Sequence, residues 1–424
     1  MREKYFFAKS VSPSPAKKTN PKQRNNMIQK IEFQDYRNME ACRVEFAEGV
    51  NVLCGMNAQG KSNILEGIYY FARGRSFRGA HDKELIRFGC PYAKMRLDML
   101  REGYQYPTVL EAYIPKTGRK VFHKNSAPLT SVVEMLGNLR AVLFCPAHLS
   151  MVTGGPLERR TFLDIAIAQL SPLYLTHVRR YAKLLTERNA LLKLAAGGHP
   201  VTDAEWEVYA EGLSIHGAEI ASFRKEYVSL LAESAAVYFA GMTGGAEVPG
   251  VMYQSHALTE EEDDAPCYLT VPAAQSPSIA MRNRLKEKLT AHLDKEILLG
   301  STLAGVHKDD IRLTLNGREA KLYASQGQQR SFVLALKLAE GGIAARCGEA
   351  APVFLLDDVF SELDENRRAF MMEKLTGRQI IVTSCEPGVI PSKYHDADIS
   401  FQRVKNGSVS PLSAENEETG EGMP

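Results

Sequence analysis

From residue 27 onward the chain switches between two hydrophobic periods, and the switches mark its organisation. Ile28, Ile31 and Phe33 open an alternating run that reaches Cys54, which predicts three short strands broken at Asp35-Tyr36-Arg37-Asn38 and at Glu48-Gly49. Ile64, Leu65, Ile68 and Tyr69 then recur at helical spacing until Gly74 stops the pattern. Residues 92–125 alternate again, as an antiparallel meander turning at Lys116-Thr117-Gly118-Arg119, and Leu139 to Phe144 adds a short strand. Beyond Pro156 the period changes: residues 157–240 place apolar side chains three and four apart with no strand-like stretch, which predicts a long helical insertion. Residues 241–278 are loop-rich, with one edge strand expected near Tyr268, and a helix from Ile279 to Leu299 leads back to a helix over Phe332–Ala345 and a buried strand from Val353.

The expected division is therefore a leader over 1–26, a mixed core from 27–155 and 301–407, a mainly helical lobe from 156–300, and an acidic tail over 408–424. The leader sets Lys17, Lys18, Lys22 and Arg24 among prolines, which predicts disorder, so the folded chain is expected to begin at Met27, with residues 1–26 either a basic arm or a start placed too far upstream. The tail carries Glu415, Glu417, Glu418 and Glu421 and is expected to be disordered too.

Composition narrows function little. With 52 basic and 50 acidic residues the net charge is +2, so any nucleic-acid contact must come from local patches. Candidates are Arg73, Arg75 and Arg78 around Phe77, which read equally as a solvated loop, and the pairs Arg159-Arg160 and Arg179-Arg180, which read first as exposed helix faces and second as phosphate contacts. Seven scattered cysteines without a Cys-x-x-Cys pair read as buried thiols in a reducing, cytoplasmic setting. No apolar run approaches the ~18 residues that a membrane span requires.

The chemistry is concentrated in Gly55-Met56-Asn57-Ala58-Gln59-Gly60-Lys61-Ser62, which fits Gly-x-x-x-x-Gly-Lys-Ser/Thr between a short apolar run and a helix-forming run. Gly55 and Gly60 permit backbone angles that turn successive amide hydrogens toward phosphate oxygens. Lys61 is expected to reach the β- and γ-phosphates of ATP and Ser62 to ligate Mg²⁺, with the helix N-terminus aimed at the same anion. A second element is Val353-Phe354-Leu355-Leu356-Asp357-Asp358, an apolar strand ending in two carboxylates. Asp357 is placed to hold Mg²⁺ and Asp358 to orient or deprotonate the attacking water, although such a pair also suits a helix N-cap. Third, Ser325-Gln326-Gly327-Gln328 precedes a strong helix and could meet a γ-phosphate, most simply that of a second subunit; a plain N-cap at Ser325 is the alternative.

The order of phosphate loop, long insertion, Ser-x-Gly-Gln segment and Leu-Leu-Asp-Asp strand resembles the ABC-type ATPases that include SMC proteins. Within them, Tyr36-Arg37-Asn38, Gly60-Lys61-Ser62-Asn63, Ser76-Phe77-Arg78, residues 84–89, Arg159-Arg160, His307-Lys308-Asp309-Asp310, Tyr323 to Ser331 and Leu355 to Asp364 resemble the RecF family of bacterial recombination mediators. The resemblance implies an α/β fold, an ABC-type P-loop ATPase head with a β-meander in one lobe and a mainly helical second lobe. It also implies a weak Mg-dependent, DNA-stimulated ATPase whose ATP-driven homodimer clamps DNA at single-strand/double-strand junctions. Its partners on this pattern are RecR, RecO and RecA.

By the same resemblance Gly55 through Asn63 bind nucleotide, Arg37 lies near it, and Ser325, Gly327 and Gln328 form a signature offered in trans. Lys61, Asp357 and Asp358 are catalytic, Ser62 and Asp357 hold metal, and Ser361-Glu362-Leu363-Asp364 lies at the dimer seam. Three segments depart from the pattern: Thr383-Ser384 stands where ABC transporters have a switch histidine, Pro146-Ala147-His148-Leu149 lacks an acidic residue, and Gly305-Val306-His307-Lys308 has Val and Lys for Pro and Arg.

Three other functions compete, one of them an ATP-gated binding module without turnover, against which a water-orienting carboxylate at Asp358 argues. A transporter's ATPase subunit would carry paired glycines in its signature, and an SMC-like structural clamp would need a heptad run of hundreds of residues that 157–300 cannot supply.

Overall fold

A computed structural model describes residues 26–101, 105–258, 277–347, 350–391 and 399–412. In chain order its main elements begin with β1 (Asn26–Tyr36), β2 (Met39–Glu45), β3 (Val50–Cys54) and α1 (Lys61–Arg73). The meander follows as β4 (Tyr92–Arg101), β5 (Thr108–Pro115), β6 (Val121–Lys124) and β7 (Ala127–Leu129), then β8 (Ala141–Phe144). Helices α2 (Pro156–Leu170), α3 (Pro172–Ala196) and α4 (Asp203–Thr243) precede β9 (Pro249–Gln254), α5 (Pro277–Ala291) and α6 (Leu293–Leu299). The chain ends with β10 (Asp310–Leu315), β11 (Arg318–Glu319), α7 (Gln326–Cys347), β12 (Val353–Asp357), α8 (Glu365–Leu375), β13 (Ile380–Ser384), β14 (Ile399–Lys405) and β15 (Ser408–Pro411).

Contacts divide the described residues into two compact units, with Leu149–Ala339 in one and the residues up to His148 and from Glu340 onward in the other. In the second, the core unit, β14, β3, β13, β12 and β8 form a parallel sheet edged by antiparallel β15. Every residue of β3, β12, β13 and β8 is buried, which is why β8 and the body of β12 are continuously apolar, while β3 buries the polar Asn51 and β13 ends in Thr383-Ser384. The meander forms a second, antiparallel sheet in the order β2-β1-β4-β5-β6-β7.

Helix α1 buries Ile64, Leu65, Ile68, Tyr69, Phe71 and Ala72 and is closed by Gly74 in the left-handed conformation. At Gly67 a Cβ would lie 2.3 Å from the Phe33 ring, so the roughly 1 kcal/mol that glycine costs a helix is outweighed by the close seat on β1. Gly67→Ala would therefore push α1, and the phosphate loop it carries, away from the meander sheet.

In the helical unit, α4 runs for 41 residues from a Thr202–Glu205 capping box to a left-handed Gly244. Its Arg224 is buried and bonds Asp164, Asp309, Tyr174 and the Val306 carbonyl, while Arg159 forms a two-pronged pair with Asp310 at 2.7 and 2.8 Å. Arg160 donates to the Asp309 carbonyl at 2.6 Å. The pair read as a phosphate contact is thus internal scaffolding, whereas Arg179 and Arg180 are exposed. The His307 segment is scaffolding as well: Tyr181 and the Thr302 carbonyl hold the imidazole at 2.8 and 3.1 Å.

Several boundaries differ from the sequence reading. The units divide at 148/149 and 339/340 instead of 155/156 and 300/301, because β10 pairs with β9 and so joins residues 310–315 to the helical unit. The strand of the loop-rich segment is β9; Tyr268 lies outside the described residues, as do Cys267 and residues 1–25 and 413–424. His292 splits the returning helix into α5 and α6, and α7 starts at Gln326, six positions before Phe332. Ser408–Pro411 is a strand paired with β14, where a disordered tail was expected. Cys42, Cys54 and Cys145 are buried, but Cys90 and Cys347 are only half-buried and Cys385 is exposed.

Candidate nucleotide site

The Gly55–Ser62 loop leaves the carboxyl end of β3, and Asp357 ends β12, with β13 between them. The register aligns Leu53 with Thr383 and Thr383 with Asp357, so loop and carboxylates share one end of the sheet, the end at which ligands of parallel sheets gather. Gly55 has φ 159° and a Cβ there would meet the Val404 carbonyl oxygen at 2.3 Å, so no other residue fits. Ala58 at φ 64° and Gly60 at φ 114° are left-handed, which turns the backbone between them into a concave run of amides opening on the N-terminus of α1.

Lys61, almost fully buried, points its ammonium back into this loop against the carbonyls of Gly55 and Met56 and lies 3.6 Å from Cys385 Sγ. Ser62 is half-buried in the first turn of α1, whereas Met56, Asn57 and Ala58 are exposed. Gln59 is anchored from outside the motif: its carbonyl accepts from Asn38 Nδ2 at 3.1 Å and Gly407 N at 2.9 Å, and its side chain accepts from Asn406 N at 2.7 Å. The β14–β15 turn thus closes the loop, a role that the polar Asn406-Gly407 pair did not signal in the sequence.

Arg37 occupies the two-residue turn between β1 and β2 at φ 52°. Its guanidinium grips Glu66 of α1 with bonds of 2.9 and 2.7 Å and donates to the Glu84 carbonyl. Glu66 is fully buried and also accepts from Tyr36 at 3.3 Å and from Ser76. Burial, reinforced by the Glu66 charge, raises the Tyr36 phenol well above its ordinary pKa, so it stays a donor. One turn earlier, Asn63 bridges Asn38 at 2.8 Å and Arg78 at 3.0 Å. The Tyr36-Arg37-Asn38 and Ser76-Phe77-Arg78 segments therefore converge on α1 directly behind the phosphate loop. Arg75 and Arg78 are exposed beside this hub, and Arg73 is half-buried.

Asp357 is buried and accepts from Thr383 Oγ1 at 3.0 Å, and Asp358, at φ 55°, donates its backbone N–H to the same hydroxyl at 3.0 Å. Ser361 donates to the Asp358 carbonyl at 2.7 Å and is exposed with Glu362, while Asp364 caps α8 through Arg367 N at 2.9 Å. Neither carboxylate is a helix cap, which removes the alternative reading of that pair.

The signature residues belong to the helical unit. Ser325 caps α7: its hydroxyl accepts from Gln328 N at 3.3 Å, and the Gln328 side chain accepts from Ser325 N at 2.6 Å. The capping alternative is thus realised locally, and it leaves Ser325 exposed beside Leu322 and Tyr323, 67% and 65% exposed. At the unit boundary, His148 Nδ1 accepts from Cys145 N at 3.4 Å, an imidazole where an acidic acceptor was expected. Among the described residues no helix is long and apolar enough to cross a membrane.

The chain as a whole is similar to known proteins. Residues 27–408 match the family described as RecF/RecN/SMC N terminal domain. The chain is 33% identical over 383 residues to the DNA replication and repair protein RecF of Thermoanaerobacter pseudethanolicus, covering 90% of this chain and 99% of that one. Among solved structures it is similar to the recombination mediator protein RecF with ATPrS, described as part of the RecFOR pathway, with a TM-score of 0.82, 31% identity and 92% and 99% of the two chains covered. The corresponding RecF–ATP structure gives a TM-score of 0.79 at 32% identity, covering 92% of this chain and all of that one.

Proposed function

The chain belongs to the RecF family of DNA replication and repair proteins, with the ABC/SMC-type ATPase fold, and we propose on that premise that it is an ATP-dependent recombination mediator acting on DNA in the cytoplasm. The observation that supports this most is the juxtaposition, at one end of the parallel sheet, of the Gly55–Ser62 loop and the Asp357-Asp358 pair. The solved relatives are RecF with ATP and RecF with ATPrS, and the steric demand at Gly55 and the left-handed Ala58 and Gly60 fit a triphosphate cradle here.

In this reading the loop amides from Met56 to Lys61 bind the phosphates, and the Lys61 ammonium exchanges its bonds to the Gly55 and Met56 carbonyls for β- and γ-phosphate oxygens. Ser62 and Asp357 would hold Mg²⁺, which would supply positive charge to offset that of the phosphates. Asp358 orients the attacking water. The Arg37–Glu66 ion pair fixes the loop's helix from behind, so Arg37 acts through α1 as well as through proximity to the nucleotide.

Ser325, Gly327 and Gln328 complete the site of a second copy, so that ATP joins two chains and hydrolysis releases them. The exposed Met56, Leu322, Tyr323 and Ser361 suit burial in such a seam. The dimer clamps DNA at single-strand/double-strand junctions, with Arg75 and Arg78 among its phosphate contacts, and with RecO and RecR promotes RecA loading; DNA stimulates the slow hydrolysis.

The test is binding to a gapped duplex against salt. With about six phosphates neutralised, the log–log slope is expected near −5. A flat dependence, or binding that is indifferent to ATP, would overturn the reading.

A further inference from the structure

We infer that Thr383 is a positioning residue that sets the two carboxylates of the site with a single hydroxyl, an inference that rests on the nucleotide reading above. Thr383 is 1% exposed on β13, and its parallel register with Asp357 fixes where its side chain can reach. Its Oγ1 donates its only proton to Asp357 Oδ1 at 3.0 Å and accepts from the Asp358 N–H at 3.0 Å; the Leu356 carbonyl, at 3.5 Å, lies at the limit of hydrogen bonding.

Both bonds have consequences for the chemistry. The donated proton occupies one oxygen of Asp357 and leaves Oδ2 to face a cation. The accepted N–H holds Asp358 at φ 55°, a left-handed conformation that a non-glycine residue keeps only when its surroundings hold it there. Released from that bond, Asp358 would keep the Ser361 hydroxyl on its carbonyl at 2.7 Å but lose its anchor to β13, so its carboxylate would be less firmly placed at the mouth of the site. Thr383 thereby couples the residue that holds the metal to the residue that orients water, so the two cannot be misplaced independently.

The experiment compares the parent with Thr383→Val, which keeps the β-branched shape and removes the hydroxyl, and with Thr383→Ser, which keeps the hydroxyl and removes a methyl group. Binding of mant-ATP is followed by fluorescence with and without Mg²⁺, hydrolysis by phosphate release, and folding by thermal unfolding. In Thr383→Val, Mg²⁺-free binding is expected to stay within twofold of the parent. The Mg²⁺ concentration for half-maximal binding is expected to rise about tenfold and the hydrolysis rate to fall at least tenfold, the order expected for loss of a group that orients a metal ligand. Thr383→Ser is expected to restore both to within threefold of the parent.

A valine variant that titrates with Mg²⁺ like the parent, or a serine variant as impaired as the valine, overturns the assignment. Should valine unfold the chain, the comparison of Thr383→Ser with Thr383→Ala decides by the same two readouts. A parent that binds no mant-ATP overturns the nucleotide reading itself, and is thereby distinguished from a parent that binds while valine is silent.

Discussion

Glu66→Ala removes the one carboxylate on which the turn of Arg37, the phenol of Tyr36 and the hydroxyl of Ser76 converge. The Glu66 side chain is 0% exposed and that of Arg37 20%, so the pair is largely shielded from water. Removing one partner of a buried ion pair costs about 3–5 kcal/mol, because the other charge is left uncompensated. Arg37 keeps the Glu84 carbonyl and some hydration, which favours the lower end; the Tyr36 hydroxyl, fully buried, loses its acceptor and adds to the cost.

For a unit of this size each kcal/mol lowers the melting temperature by about 2–4 °C, so a drop of roughly 10 °C is expected. Glu66→Gln, which keeps an acceptor without the charge, is expected to lose about half as much. Arg37→Ala combined with Glu66→Ala should be less damaging than the sum, with a coupling of about 2 kcal/mol by double-mutant cycle. Differential scanning fluorimetry reads all five proteins, the Arg37→Ala single variant included, and mant-ATP affinity should fall with stability because Asn38, beside Arg37, holds the Gln59 carbonyl. A Glu66→Ala melting point within about 2 °C of the parent, or strict additivity, would refute the claim that this hub carries the loop.

Further outcomes follow from the same geometry. Cys385 is exposed and lies 3.6 Å from the Lys61 ammonium and 3.2 Å from Asn57 Oδ1, so alkylation with N-ethylmaleimide should block mant-ATP binding and ATP should protect the thiol. Mass spectrometry locates the adduct, and full binding by the modified protein would contradict the site's placement. Burial lowers the pKa of His307 to about 4, below the ordinary 6.5, so the folded helical unit holds it neutral. As pH falls from 6.5 toward 4 the unfolded chain takes up a proton that the folded chain refuses, and stability is lost by up to about 3 kcal/mol. Asp309, pushed up to about 6 by burial, works with the opposite sign, so the decisive quantity is the difference between the parent and His307→Gln in urea unfolding at pH 7 and 5. Equal pH dependence in the two would contradict the assignment.

How far the sequence foretold the molecule depends on the distance over which each feature is built. The loop, α1 and the apolar strands β8 and β12 were legible because backbone freedom, helical spacing and continuous burial act within a few residues. Glu66 left a signal that was not used: an acid inside Ile64-Leu65-Glu66-Gly67-Ile68-Tyr69 interrupts the buried face of a helix and must have a partner. Arg37 supplies it from 29 residues away, a pairing that only the β1–β2 turn reveals. Thr383 meets Asp357 through strand register alone, and β9 finds β10 across the intervening α5 and α6, so neither relation is written in local pattern. Arg159 and Arg160 show the converse, since two adjacent cations suggested phosphate while the fold had placed Asp309 and Asp310 beside them.

The central claim, that ATP completes a site shared by two copies of this chain on DNA, is tested most directly by analytical ultracentrifugation with Mg²⁺-ATP and a gapped duplex. The parent is expected to dimerise only when ATP is present, and Ser325→Arg, at an exposed helix cap, should remain monomeric while still binding mant-ATP. A parent that stays monomeric with ATP and DNA yet hydrolyses ATP, or a Ser325→Arg variant that dimerises like the parent, would contradict it.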